Sequence, residues 1–264
     1  MFLSVFDVFK IGIGPSSSHT MGPMTAANRF LEELKTADDP RARNARAAAL
    51  SVSLHGSLAF TGIGHGTDRA VILGLCGENP KTVDPDRMDA MVAEVEASGV
   101  VSPPGHGTYR FRPARDLVFD RKVPLPGHPN GLQFSVYDTD GQLLLRRTYY
   151  SIGGGFVVTD AEIEAVKTAS PADADVPYPF AHAADMLEMA ARSGLSVAQM
   201  KRANEEAVRS RRAVDTGLDE IWSAMSGCID RGLSQDGIMP GGLRVKRRAK
   251  AIHDQLAAQW QRNE

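Results

Sequence analysis

With 264 residues, 42% of them hydrophobic, and a formal net charge of −2, the chain can bury the core of one large domain or two smaller ones and has no charge excess that calls for nucleic acid or an anionic membrane as partner. The opening MFLSVFDVF carries Asp7 and no basic stretch, and its apolar run is too short for a signal peptide or a membrane span, so a soluble, cytoplasmic protein is expected. Two cysteines, Cys76 and Cys228, lie far apart without CxxC spacing, which excludes a disulfide framework and a self-contained zinc or iron–sulfur site.

In chain order, Ser4 to Phe9 reads as a short strand or helix leading into Lys10 to Met24, KIGIGPSSSHTMGPM. There, Gly12 and Gly14 free the backbone, Pro15 stiffens it, and Ser16, Ser17, Ser18 and Thr20 set four hydroxyls around the imidazole of His19. Ala26, Ala27, Phe30, Leu31 and Leu34 follow at helical spacing. The hydroxyl cluster therefore falls at or just before a helix N-terminus, as an anion cradle or as a plain cap.

A charged, Pro-containing stretch, Lys35 to Asn44, separates this helix from AAALSVSLH, a strand with Leu50, Val52 and Leu54 on one face and Ser51, Ser53 and His55 on the other. His55 reads as a strand-end residue rather than a catalyst. Next, GSLAFTGIGHGTD (Gly56 to Asp68) brackets His65 with Gly62, Gly64 and Gly66, leaving room for a ligand beside a titratable ring, or forming only a flexible turn. Thr67 and Asp68 would cap the helix over Ala70 to Leu75. GIGHG does not match GxGxxG, and no Walker lysine follows.

A turn at Asn79 to Asp86, a helix through Met88, Met91, Val92 and Val95, a loop over Gly99 to His106 and an extended run over Thr108 to Phe119 come next. PLPGHPNGLQF (Pro124 to Phe134) is a stiff turn presenting His128 and Asn130 and entering a strand that pairs with Gly141 to Tyr150 across a turn at Asp138 to Gly141. The glycines of SIGGGF (Ser151 to Phe156) mark a close backbone contact or a sharp strand exit. Beyond a Pro- and Ala-rich linker at 168–179 the pattern turns helical: a helix ended by Gly194, one capped by Ser196, a third over Leu218 to Ile229, and a last one over Ala249 to Trp260 behind the basic run Lys246, Arg247, Arg248, read as a solvated face.

Three His-bearing turns with hydroxyls, an amide or glycines beside them suit a small polar acid. The stretches SVFDVFKIGIGPSSSHTMGPM, GSLAFTGIGHGTD, PLPGHPNGLQF and TYYSIGGGFV, with the helical tail, resemble the bacterial iron–sulfur L-serine dehydratases from Leu3 to about residue 255. The resemblance implies an α+β chain: an N-terminal α/β domain over 1–167, similar to the allosteric substrate-binding domain of D-3-phosphoglycerate dehydrogenases, and over 180–264 the helical start of a catalytic domain. It implies conversion of L-serine to pyruvate and ammonia, by α-proton abstraction and loss of the β-hydroxyl to an open iron of a [4Fe-4S] cluster, without pyridoxal phosphate. It assigns His65 as the α-proton base with His19 as a second catalytic group, and Ser17, Ser18, Thr20, His128 and Asn130 to the substrate.

The matching single-chain enzymes continue beyond the point equivalent to Glu264 and carry their three cluster cysteines there, so no metal ligand is expected within this chain. It is expected to be an N-terminal portion, inactive alone, with L-serine, the remainder of the catalytic domain and a second copy in a homodimer as partners. Threonine is a variant substrate on the same reading. A serine-binding regulatory module, or an interaction subunit with an exposed apolar helical surface, are the readings from other classes.

Overall fold

A computed structural model of the protein describes residues 2–38, 42, 47–168, 175–239 and 244–260. Two compact units divide the chain: one of Gly12–Lys167 with Met239–Val245, the other of Met1–Ile11, Thr168–Ile238 and Lys246–Glu264. Residues 169–174 of the linker at 168–179 fall outside the described residues, as do parts of the stretches at 35–44 and 241–248.

In the first unit, strand β1 (Ala47–Gly56) is the axis of a mixed sheet ordered β2-β3-β1-β5-β6-β7. These strands are β2 (Val100–Val101), β3 (Tyr109–Arg110), β5 (Asn130–Asp138), β6 (Leu143–Gly153) and β7 (Phe156–Thr159). The chain is α+β, as expected. β5 and β6 form the antiparallel hairpin read from the sequence, with Gly141 at φ 79° in its turn. Leu50, Val52 and Leu54 are buried with Leu132, Phe134 and Val136, which their alternation demands. Ser135, on the opposite face of the strand, is buried as well; it accepts a hydrogen bond from Arg146 Nε at 3.2 Å.

The extended run at 108–119 is not one strand. Pro113 sits in the first turn of a short helix (Pro113–Asp116) that separates β3 from β4 (Leu117–Asp120), as expected of a residue that lacks an N–H yet is preset for a first helical turn. β3 and β4 nevertheless both lie parallel to β1, at Ala49 and at Val52 to His55. Helices α1 (Gly22–Lys35) and α2 (Thr67–Leu75) pack together closely, since a Cβ at Gly74 would stand 2.6 Å from the Met24 carbonyl oxygen and 2.7 Å from Ala27 Cβ. Phe30 of α1 stacks on Phe134 at 5.3 Å between centroids, tying the helix to the sheet.

The second unit is helical. Ala183–Ser193 ends at Gly194 in the left-handed region, and Val197–Val208 opens with a reciprocal cap between Ser196 and Gln199, both as read. The third helix is longer than its apolar spacing suggested, Arg211–Ser234, because Ser210 caps it; the last is Ala249–Trp260. The ambiguous N-terminal segment is a single helical turn, Val5–Val8, held by the buried carboxylate of Glu205, which accepts from Ser4 Oγ (2.9 Å), the Val5 N–H (2.7 Å) and Arg209 (2.7 Å). A buried charge so fully hydrogen-bonded is stabilised rather than stranded. Among the described residues, no helix is long and apolar enough to cross a membrane.

Candidate active site

The cradle forms where a five-residue π-helical turn, Ser17–Met21, runs into α1. Such wide turns inside helices recur at functional sites because they displace side chains from the regular ladder. Ser16 caps it, its Oγ accepting the His19 N–H at 3.1 Å. The ring of His19 lies between two hydroxyls, Ser18 Oγ on Nδ1 at 2.9 Å and Ser57 Oγ on Nε2 at 3.0 Å.

His65 comes from a 3₁₀ turn, Gly62–His65, which follows a short helix, Ser57–Thr61, so the stretch read as a loop is wound. Gly66 then takes φ 65°, the left-handed conformation that lets α2 begin at once. The rings of His19 and His65 stand 4.8 Å apart between centroids, tilted by 43°. His65 Nδ1 donates to the Thr61 carbonyl at 2.9 Å. A carbonyl only accepts, so the neutral ring carries its proton on Nδ1 and keeps a lone pair on Nε2.

The third turn joins these two through the backbone. The Ser57 N–H donates to the carbonyl of Pro129, between His128 and Asn130, at 2.8 Å. Gly56, at φ 56°, pairs with Asn130 in the β1–β5 register, and a Cβ there would overlap the Pro129 carbonyl oxygen. The His128 ring accepts the Asn130 N–H at Nδ1, 3.1 Å, and Asn130 Nδ2 donates to the Ser151 carbonyl at 3.0 Å. Ser151 Oγ, wholly buried and without a hydrogen-bond partner among the described residues, abuts Gly22, the first residue of α1. The circuit from His19 through Ser57, the His128 turn, Asn130 and Ser151 thus returns to the π-helical turn.

Of the residues assigned from sequence, His19, Ser18 and His65 share one locus, and His128 and Asn130 are linked to it through Ser57. Ser17 is exposed, its carbonyl accepting the Gly22 N–H. Thr20 is buried, its hydroxyl taken by the Ser16 N–H at 3.3 Å and the His65 carbonyl at 2.9 Å. Thr67 does not cap α2; its hydroxyl donates to the His19 carbonyl at 2.5 Å, and the cap position is Gly66. His55 has both nitrogens occupied, by Ser53 Oγ and the Val123 carbonyl, in keeping with a strand-end role. Ser57 and Ser151 were not singled out, and Thr67 was read only as a cap; the sequence signals for the first two were their places inside GSLAFTGIGHGTD and SIGGGF.

Burial lowers the pKa of His19, the positive charge of a protonated His65 lowers it further, and Ser57 opposes both. His128 is lowered by burial alone. Both rings therefore favour the neutral form more than free histidine does.

The profile of the serine dehydratase beta chain matches residues 4–162, which include every residue of this circuit. The chain belongs to the serine dehydratase beta chain family. Its similarity to curated serine dehydratases extends further, over nearly the whole sequence. It is 43% identical over 249 residues to an L-serine dehydratase of Streptomyces coelicolor, covering 94% of this chain and 54% of that protein. It is 40% identical over 258 residues to the L-serine dehydratase TdcG of Escherichia coli, covering 97% and 55%, and 36% identical over 254 residues to an L-serine dehydratase of Helicobacter pylori, covering 96% and 54%. The chain spans about half the length of the curated relatives it matches. The family expected from the motifs is confirmed.

The described residues of this serine dehydratase beta chain member do not fit an iron–sulfur cluster. No group of three His, Cys, Asp or Glu side chains converges among them. Cys228 is exposed in the helical unit, while Cys76 is half-buried in the other, its thiol pushed up to about 11 by burial and by Glu78 and Glu94, the reverse of what a thiolate ligand requires.

Proposed function

We propose that this chain supplies the proton-transfer and carboxylate-binding part of an L-serine dehydratase. The observation that carries the reading is the His65 ring, fixed through Nδ1 to the Thr61 carbonyl with Nε2 free, beside His19 in a cradle of hydroxyls. His65 Nε2 takes the α-proton of L-serine. The Cα–H electrons form the double bond of 2-aminoacrylate as the β-hydroxyl departs with its bonding pair as hydroxide, which with the abstracted proton makes up the water lost, and hydrolysis of that product gives pyruvate and ammonia. An α-proton beside a carboxylate is weakly acidic, so a histidine base with a pKa near 6.5 needs the charge growing on the carboxylate to be stabilised. Ser17 and Ser18, at the head of the helical run into α1, supply donors preset for that charge. His128 and Asn130 orient the polar end of the substrate.

On this reading a [4Fe-4S] cluster would be held by polypeptide outside these residues, and the reaction would use no pyridoxal phosphate. The exposed apolar side chains of the helical unit are available to a partner of that kind: Leu187 is 66% exposed, Trp222 64% and Trp260 76%. The remainder of a catalytic domain, covalent or separate, is the occupant we assign, with a homodimer in the cytoplasm as the assembled form. Kinship of the first unit with the allosteric substrate-binding domain of D-3-phosphoglycerate dehydrogenases belongs to the same reading, and backbone superposition checks it.

The deciding experiment adds L-serine to the 264-residue protein and follows the imidazole resonances of His19 and His65. Saturable shifts of both are expected; their absence at about 10 mM, tenfold above the usual upper range of KM, would remove the reading. Pyruvate formation is then assayed after anaerobic mixing with a polypeptide corresponding to the second half of the Streptomyces coelicolor relative. Serine binding with no pyruvate in any such mixture would favour the regulatory module.

A further inference from the structure

Away from the histidine circuit, a cleft of ≈ 690 Å³ opens among the start of α2, the end of the helix Met88–Ser98, and the helix Pro113–Asp116 with the strand after it. That volume lies inside the range of about 300–1,000 Å³ usual for small-molecule sites. Its lining has three chemistries: the carboxylates of Asp68 and Glu96, the guanidinium of Arg112, and an apolar surface from Ile72, Leu117 and Phe119.

The surrounding ion pairs leave these charges unmatched. Arg69, next to Asp68, is paired with Asp89 instead. Asp116 accepts the Arg112 backbone N–H at 2.8 Å and faces Arg115, so it does not neutralise the Arg112 head. Among the described residues, no side chain pairs with Asp68, Glu96 or Arg112. Asp68 Oδ1 is closed off from water and has no hydrogen-bond partner among the described residues, a cost that a donor bound in the cleft beside Asp68 would relieve. The Arg112 stem lies across Gly99, where a Cβ would stand 3.0 Å from its Cγ, which holds the guanidinium at the cleft. A divalent metal does not suit the site, because no three ligand-type side chains converge among the described residues.

We propose that this cleft binds a zwitterionic α-amino acid with an aliphatic side chain. Its ammonium faces Asp68 and Glu96, its carboxylate takes Arg112 in a two-pronged pair, and its side chain covers Ile72, Leu117 and Phe119. L-Serine, which has no apolar body, is not its ligand. The proposal is independent of the dehydratase reading, because its test reads binding alone.

Calorimetric titration of the full chain uses L-leucine as the probe, beside 4-methylpentanoate, which lacks the ammonium, and 3-methylbutylamine, which lacks the carboxylate. Saturable binding of L-leucine is expected, with both analogues at least tenfold weaker, the loss of one charged hydrogen bond. Arg112→Met and Glu96→Gln should each weaken L-leucine at least tenfold, and Ala114→Trp, which fills the cleft without changing a charge, should abolish its binding. If Arg112→Met fails to fold by circular dichroism, Ala114→Trp decides. The proposal is overturned by no heat of binding at about 10 mM, tenfold above a millimolar dissociation constant, by an analogue binding as well as L-leucine, by displacement with L-serine, or by wild-type affinity in Ala114→Trp.

Discussion

Thr67 donates its hydroxyl to the carbonyl of His19 at 2.5 Å, and Thr20 donates its own to the carbonyl of His65 at 2.9 Å. Each histidine turn is thus held by a threonine from the other, so the distance between the two rings is set by a pair of crossed clamps rather than by either turn alone.

Thr67→Val keeps the shape of this fully buried side chain and removes its hydroxyl donor from the His19 carbonyl. A loss of about 1–3 kcal/mol in unfolding free energy is expected, from the removal of one partner of a buried hydrogen bond. Urea denaturation with an unchanged m value measures it; full retention of stability would show that the clamp contributes nothing.

Gly22→Ala should destabilise although the backbone there is ordinary α-helix at φ −59°. In an open helix the change would help by roughly 0.5–1 kcal/mol. Here the new methyl lies 2.7 Å from Ser151 Cβ and closer still to its Oγ, and overpacking of this kind costs about 1–3 kcal/mol. Adding Ser151→Gly should recover part of the loss, so a double-mutant cycle in which the two changes are simply additive would refute the contact.

Acidification should weaken the fold before any carboxylate titrates. His19, His106 and His128 all have pKa values lowered from 6.5, chiefly by burial. The unfolded chain therefore takes up these protons first. Stability is full above about pH 6.5, falls as the pH drops below it, and levels off beneath the lowered values. Histidine Cε1 resonances of the three rings should titrate below 6.5, and His19→Gln should flatten part of the slope; midpoints at or above 6.5 would reverse the sign and reject the account.

His65→Gln should remove the base while leaving the cradle formed. In the reconstituted enzyme, pyruvate formation is expected to fall by about 10²–10⁴, the usual contribution of a positioned proton-transfer group, with L-serine affinity changed little. A matching fall in affinity would reassign His65 to binding.

The histidine turns were legible because ordinary folding does not account for four hydroxyls around His19 or three glycines around His65. The hairpin, the buried face of α1 and the Ser196 cap were legible because each rests on spacing within a few residues. Ser57 and Ser151 were not, since their partners are fixed by register: Gly56 opposite Asn130 delivers Ser57 to Pro129, and no local pattern encodes that pairing. Thr67 sits where a cap belongs, and only the approach of the His19 turn draws its hydroxyl away. Over 108–119 the alternation predicted extended backbone but passed over Pro113, which winds the backbone for one turn before the strand resumes.

The carboxylate of Glu205 that receives Ser4 lies 201 positions further along the chain. At translation rates of roughly 5–20 residues per second the N-terminal turn leaves the ribosome about 10–40 s before its anchor is made. Throughout that interval the Ser4 hydroxyl and the Val5 N–H lack the carboxylate that anchors them, so this turn reaches its native contacts only after the helix carrying Glu205 has been made.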